Sequence, residues 1–183
     1  MIWLIVLIVL IVIVVLAGLG LYNGLITKRN RVENAWSQID VQLKRRHDLI
    51  PNLVETVKGY AAHERGTLDA VVQARNAAMT ATTPVAAAQA ENQVTGALRQ
   101  LFALSEAYPD LKANQNFLSL QEELSATEGR VAYARQFYND AVLTYNTGIQ
   151  KFPASVIASR MSFKPREYFE AEEGSRDTPT VQF

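Results

Sequence analysis

From Met1 to Thr27 the chain carries no charged side chain, and most of that stretch is Ile, Val and Leu. Wound as a helix at about 1.5 Å per residue, Ile2 to Leu21 reaches across the roughly 30 Å of bilayer hydrocarbon. Ten of the residues from Ile2 to Val15 are β-branched and favour a strand in water. A lone strand in lipid leaves its backbone groups unpaired, so lipid selects the helix. Trp3 and Tyr22 stand near the two ends, where amphipathic rings settle at a membrane interface. A cleaved signal peptide has a basic start and a shorter apolar stretch of about 7 to 15 residues. Neither is present, and the expectation is a retained anchor over residues 1–27.

Lys28, Arg29 and Arg31 follow the span directly, and Lys44, Arg45 and Arg46 reinforce them, whereas no Lys or Arg precedes it. This bias predicts an N-out, C-in single-pass protein of the inner (cytoplasmic) membrane, with Trp3, Tyr22, Lys28, Arg29 and Arg31 at the interface. The basic cluster suits anionic headgroups. Gly20 and Gly24 form a GxxxG at the inner end of the span, where small side chains let helices approach closely.

The 18 basic and 18 acidic residues all follow the anchor and cancel. No basic excess exists to neutralise phosphates, so nucleic-acid binding is not expected. With no cysteine, disulfides, thiolate chemistry and Cys-based zinc sites are excluded.

From Arg31 to Thr80 the apolar residues hold one heptad register. One column is Trp36, Leu43, Ile50, Val57, Glu64, Val71 and Ala78, and a second is Val32, Ile39, Arg46, Leu53, Tyr60, Thr67 and Ala74. A third, His47, Val54, Ala61 and Leu68, widens the stripe beyond a two-stranded seam and predicts a multi-helix bundle. Pro51 removes the backbone bond to the carbonyl of His47. The register survives it, which predicts a kinked continuous helix or two collinear ones rather than a reversal. Thr83 with Pro84 reads as the start of a shorter helix bearing Val94, Leu98, Leu101 and Ser105, ending near Tyr108-Pro109. A last long helix begins around Asn114, with Phe117, Leu124, Val131, Tyr138 and Tyr145 in one column and Leu120, Thr127, Ala134 and Ala141 in another. The chain thus divides into an anchor (1–27), a cytoplasmic helical bundle (28–152) and a C-terminal segment (153–183). Pro153, Pro165 and Pro179 make that segment extended or irregular, a strap on the bundle or the membrane surface with a mobile acidic end.

Chemistry-bearing groups are sparse. His63-Glu64 begins like a zinc-protease motif, but Thr67 stands where the second His is required. No Glu-x-x-His pair, Walker loop, dinucleotide fingerprint or serine elbow occurs. No catalytic residue, metal ligand or cofactor is expected, and the chain is not read as an enzyme. Two stripe positions, Arg46 and Glu64, are charged. Each needs solvent at the stripe edge, an opposite charge on a neighbouring helix, or a partner from another subunit, in which case Asp40, Asp48 and Asn52 join the contact. Tyr138-Asn139 and Tyr145-Asn146 repeat at seven residues, as core tyrosines seeking hydroxyl partners or as a partner site.

The blocks Arg29–Trp36, Ile39–Val54, Val57–Glu64 and Tyr108–Ala113, followed by Arg135–Asn139, Tyr145-Asn146 and Phe152-Pro153, resemble the LemA family of bacterial membrane proteins over nearly the whole chain. Gly66 departs from that pattern, where such helices usually carry a better helix former. The resemblance implies one span followed by long antiparallel helices and no settled enzymatic activity. It also implies a link to shaping internal membranes, through a magnetosome-associated branch, and neighbours such as a membrane protease or a phosphatase-like protein. The resulting expectation is an all-α chain, one transmembrane helix and then a bundle of three or four long antiparallel helices. Its expected role is a homo-oligomeric scaffold that organises or remodels the bilayer. The alternative is an adaptor or sensor presenting proteins to a membrane protease or signalling enzyme. A pilin-like subunit fits less well, because the leading helix lacks a basic leader and an early carboxylate.

Overall fold

The computed structural model describes residues 1–170; the acidic end of the tail, expected to be mobile, lies outside them. The described residues form no strand and six helices: α1 (Ile2–Lys58), α2 (Arg65–Thr80), α3 (Pro84–Ser105), α4 (Pro109–Lys112), α5 (Gln115–Gln150) and α6 (Ala154–Arg160). The chain is all-α, as the heptad columns predict. The described residues divide into two compact units, one of Met1–Gln38 with Gln136–Glu167 and one of Ile39–Arg135 with residues 168–170.

The second unit is a helical bundle built on the predicted stripes. Ile50, Leu53, Val57, Leu68, Val71, Val94, Leu101, Leu111 and Phe117 are at most 4 % exposed and form one core. Fully burying each such side chain contributes roughly 1.5–3 kcal/mol relative to leaving it in water. The helix starts follow their local chemistry. The Thr83 hydroxyl accepts the Ala86 N–H at 3.2 Å with Pro84 in the first turn, where its missing N–H costs nothing. The Asn114 carboxamide oxygen accepts the Phe117 N–H at 3.0 Å and opens α5.

One expectation is corrected. The break falls at Gly59–Glu64, and it is a reversal: Arg75 of α2 donates to the carbonyl of His47 in α1 at 2.7 Å. Collinear helices would hold residues 28 apart roughly 42 Å from each other. The register persists because α1 and α2 face one shared core, and a stripe that faces a core reads the same whether or not the chain has turned. Pro51, by contrast, sits inside α1 without ending it. The His47 carbonyl that its missing N–H leaves over is the one that Arg75 takes.

The first unit contains the leading helix. In α1 every large apolar side chain from Ile2 to Leu16 is at least 49 % exposed, and none of the apolar window is covered by the rest of the chain. Farther along, Leu25, Val32 and Ala35 are buried, as are Tyr138, Ala141, Val142, Tyr145 and Ile149 of α5. Trp36 tilts against Tyr138 with ring centroids 5.5 Å apart. Beyond α5 the expectation of an extended segment is corrected in part: α6 forms over Ala154–Arg160, a run without Pro or Gly that starts directly after Pro153. From Phe163 to Glu170 the chain has no regular secondary structure.

Arg75→Ala is expected to lower stability by about 1–3 kcal/mol, the cost of an unsatisfied buried carbonyl. In a Pro51→Ala background, where a backbone N–H is again available to that carbonyl, the loss shrinks. Thermal unfolding of the four proteins of this cycle measures the coupling, and additive losses would contradict the pairing.

Candidate functional site

Three places gather the polar groups that the apolar stripes do not explain. The first is a buried charge cluster in the bundle. Arg46 and His47 are adjacent on α1, and Glu91 lies opposite on α3; all three are at most 7 % exposed. Nη1 of Arg46 donates to Glu91 Oε2 at 2.9 Å, Nη2 donates to Thr95 Oγ1 at 2.8 Å, and His47 Nε2 meets Glu91 Oε1 at 2.6 Å. Glu91 thereby serves two neighbours with its two oxygens. Arg46 also lines a cavity of about 250 Å³ with Arg99, Gln121, Ser125 and Glu128, polar enough and roomy enough for water. Its Nε has no protein partner.

Arg46 therefore finds a counter-charge on a neighbouring helix of the same chain. Glu64 is met by a neutral donor instead of a counter-charge: it accepts from the Tyr108 hydroxyl at 3.1 Å, beside a bond from Asn114 Nδ2 to the Tyr60 hydroxyl at 2.9 Å. The hydrogen bond to Glu64, some burial and the negative charge of Glu64 raise the Tyr108 phenol above its ordinary range. Asp40, Asp48 and Asn52 are exposed on α1, so the structure does not draw them into the Arg46 cluster.

The second place is the heptad-spaced Tyr and Asn pairs of α5, in the unit with the leading helix. The Tyr138 hydroxyl donates to the Glu167 carbonyl at 2.9 Å, and the Tyr145 hydroxyl donates to the Lys164 carbonyl at 3.0 Å. Asn146 does both jobs for Arg166, donating to its carbonyl and accepting its N–H, each at 2.9 Å. Asn139 is half-buried on the same helix. The repeat holds the segment from Lys164 to Glu167 by its backbone, so the tyrosines are the satisfied core groups that burial demands. Burial pushes both phenols up, and the nearby Arg166 charge opposes this.

The third place is the stretch around the end of the apolar segment. Trp3 is exposed at its start, and Tyr22 stands edge-on to Phe163 at 5.9 Å. Arg29 lies over the Phe163 ring at 5.7 Å, Arg31 lies over Phe137 at 5.5 Å, and Lys28 runs past Gly148, where a Cβ would stand 2.9 Å from its Nζ. Among the described residues, nothing outside the neighbouring turns of the same helix comes within 4 Å of a Cβ built on Gly20 or Gly24, so neither accommodates a packed neighbour there.

Sequence reasoning missed Glu91, Thr95 and Arg75. Glu91 was legible: Glu91, Leu98 and Ser105 form a heptad column of α3, a carboxylate in a core position that required a cation. Thr95 and Arg75 carried no such signal. Glu91→Leu is expected to cost about 3–5 kcal/mol, because it strands the Arg46 guanidinium in the core. Arg46→Met with Glu91→Leu recovers most of that loss, and equal thermal stability of the single and double variants would contradict the pairing.

Comparison with known proteins supplies the kinship. The sequence profile described as "LemA family" matches residues 35–183. Protein LemA of Metamycoplasma hominis is 29 % identical, the match covering 86 % of this chain and 73 % of that protein. Magnetosome protein MamQ 2 of Paramagnetospirillum magneticum is 28 % identical and Magnetosome protein MamQ of Magnetospirillum gryphiswaldense 26 %, each over 87 % of this chain and 68 % of the relative. A profile that matches most of the bundle, on a chain whose heptad columns and Tyr-Asn pairs fold as all-α, places this protein in the LemA family.

Proposed function

We propose that this protein is a membrane-anchored scaffold that associates with copies of itself and thereby organises or remodels the bilayer. One observation carries the reading: α1 runs from the uncovered apolar segment through to Lys58 as a single helix, so the bilayer anchor and the first helix of the bundle are one element. Kinship with proteins named for the magnetosome supports a membrane role. Gly20 and Gly24, unused within the chain, are the surface on which spans pack against each other. The basic residues after the span set the orientation, N-out with the bundle in the cytoplasm, at the inner membrane. The role is structural and involves no catalysis.

Size-exclusion chromatography with light scattering on the full-length protein in mild detergent tests the reading. The expected result is a homo-oligomer whose population falls when Gly20→Leu and Gly24→Leu are combined. Monomers alone over a wide range of concentration would contradict it. Cross-linking in native membranes that traps a different protein and never a second copy would favour the adaptor role instead.

A further inference from the structure

A cavity of about 360 Å³ lies in the unit that holds the leading helix, lined by Arg29 of α1, Tyr145 of α5 and the turn Ser162 to Arg166. Three of its side chains are cations: Arg29, Lys164 and Arg166. Among the described residues no carboxylate lines it. Arg166 shares one bond with Glu33 at 3.0 Å, but both side chains are about half exposed, so that pair holds the guanidinium only weakly. Lys164 forms no ion pair among the described residues, and Nε of Arg29 is buried without a hydrogen-bond partner. The turn is built with effort: Ser162 takes φ of 56°, a left-handed conformation that a non-glycine residue adopts at a cost. Both phenols and Asn146 of α5 then fix the following backbone.

The position of this cavity along the chain is as informative as its charge. Arg29 is two turns beyond Tyr22, roughly 10 Å along the helix axis, and helix side chains lean toward the N-terminus, which here is the membrane side. Phe163 touches both residues, its ring edge-on to Tyr22 and beneath Arg29. Within and next to α6, Phe152, Val156 and Met161 are 83 %, 54 % and 61 % exposed, apolar side chains that gain by dipping into an interface.

We infer that Arg29, Lys164 and Arg166 form a binding site for the phosphate of an anionic lipid headgroup, with Phe163 as its wall on the bilayer side. The strap is then a clamp on the lipid surface, ordered by the Tyr-Asn repeat. This deepens the scaffold reading and rests on its anchored helix.

Short-chain phosphatidylglycerol, titrated against the full-length protein in a neutral detergent and followed by native mass spectrometry, tests the site. Binding is expected to weaken roughly fivefold for each cation removed in Arg29→Gln and Lys164→Gln, and to stay unchanged in Arg99→Gln with Arg130→Gln, neither of which lines the cavity. Helical circular dichroism checks each variant. Lys164→Gln alone, at an exposed residue, decides the matter if the double variant does not fold. Inorganic phosphate is the second arm: failure to displace the lipid assigns the site to a headgroup, whereas displacement at equal concentration keeps the phosphate site and makes its source soluble. Equal lipid binding by wild type and the Lys164→Gln variant would overturn the proposal. A carbonate wash separates this from failure of the scaffold reading, because protein that stays in the membrane while binding is unaltered loses only the headgroup site.

Discussion

A backbone that crosses hydrocarbon has no water to bond with, so every N–H and C=O from Ile2 to Leu21 must be satisfied inside the same segment. Only an unbroken helix does this, and once formed it has no reason to stop where the lipid stops. Between Lys28 and Lys58 nothing ends it: no glycine occurs there, and Pro51 leaves one carbonyl over, which Arg75 takes. The apolar segment therefore continues as the first helix of the bundle. The apolar stripe that begins in the helix beyond the span dictates what must cover it.

Within the bundle the same economy of partners governs the polar groups. Arg46 and His47 occupy stripe positions where a lone charge would be costly, and the Glu91 carboxylate meets both. Such a cluster adds little stability over well-packed apolar side chains, yet removing one member strands the others. It fixes which face of α3 meets α1, since only one rotation of α3 brings Glu91 to the two bases. In the unit with the leading helix, Tyr138, Tyr145 and Asn146 act by the same rule on a different target, the backbone of the segment from Lys164 to Glu167. A segment outside helix and sheet needs side chains to take its carbonyls, and the heptad repeat supplies them at the right spacing.

Much of this was legible in the residues, for physical reasons that also explain the misses. Columns such as Ile50, Val57 and Val71, or Phe117, Leu124 and Val131, are buried as read, because core burial is the strongest periodic signal a helix can write. Thr83 and Asn114 open their helices because capping is local. The reversal at Gly59–Glu64 was not read, since a heptad register is blind to chain direction and the turn preserved its count. Gly59, a poor helix former at the first residue of the break, carries the better signal. The α6 helix was hidden by the prolines around it. Pairings such as Arg75 with the His47 carbonyl depend on which helices become neighbours, which one-dimensional periodicity does not encode.

The claim on which all of this stands is that the apolar leading segment rests in a bilayer with the bundle on its cytoplasmic side. The chain contains no cysteine, so single introduced thiols report their own surroundings without background. Ile11→Cys and Asp40→Cys, labelled with a membrane-impermeant maleimide in intact cells and again after the membrane is opened, measure it directly. The account predicts that the thiol at position 11 stays unlabelled in both conditions, while the one at position 40 reacts only after opening. Labelling at position 11 in the intact preparation, or release of the protein from membranes by carbonate, would contradict it.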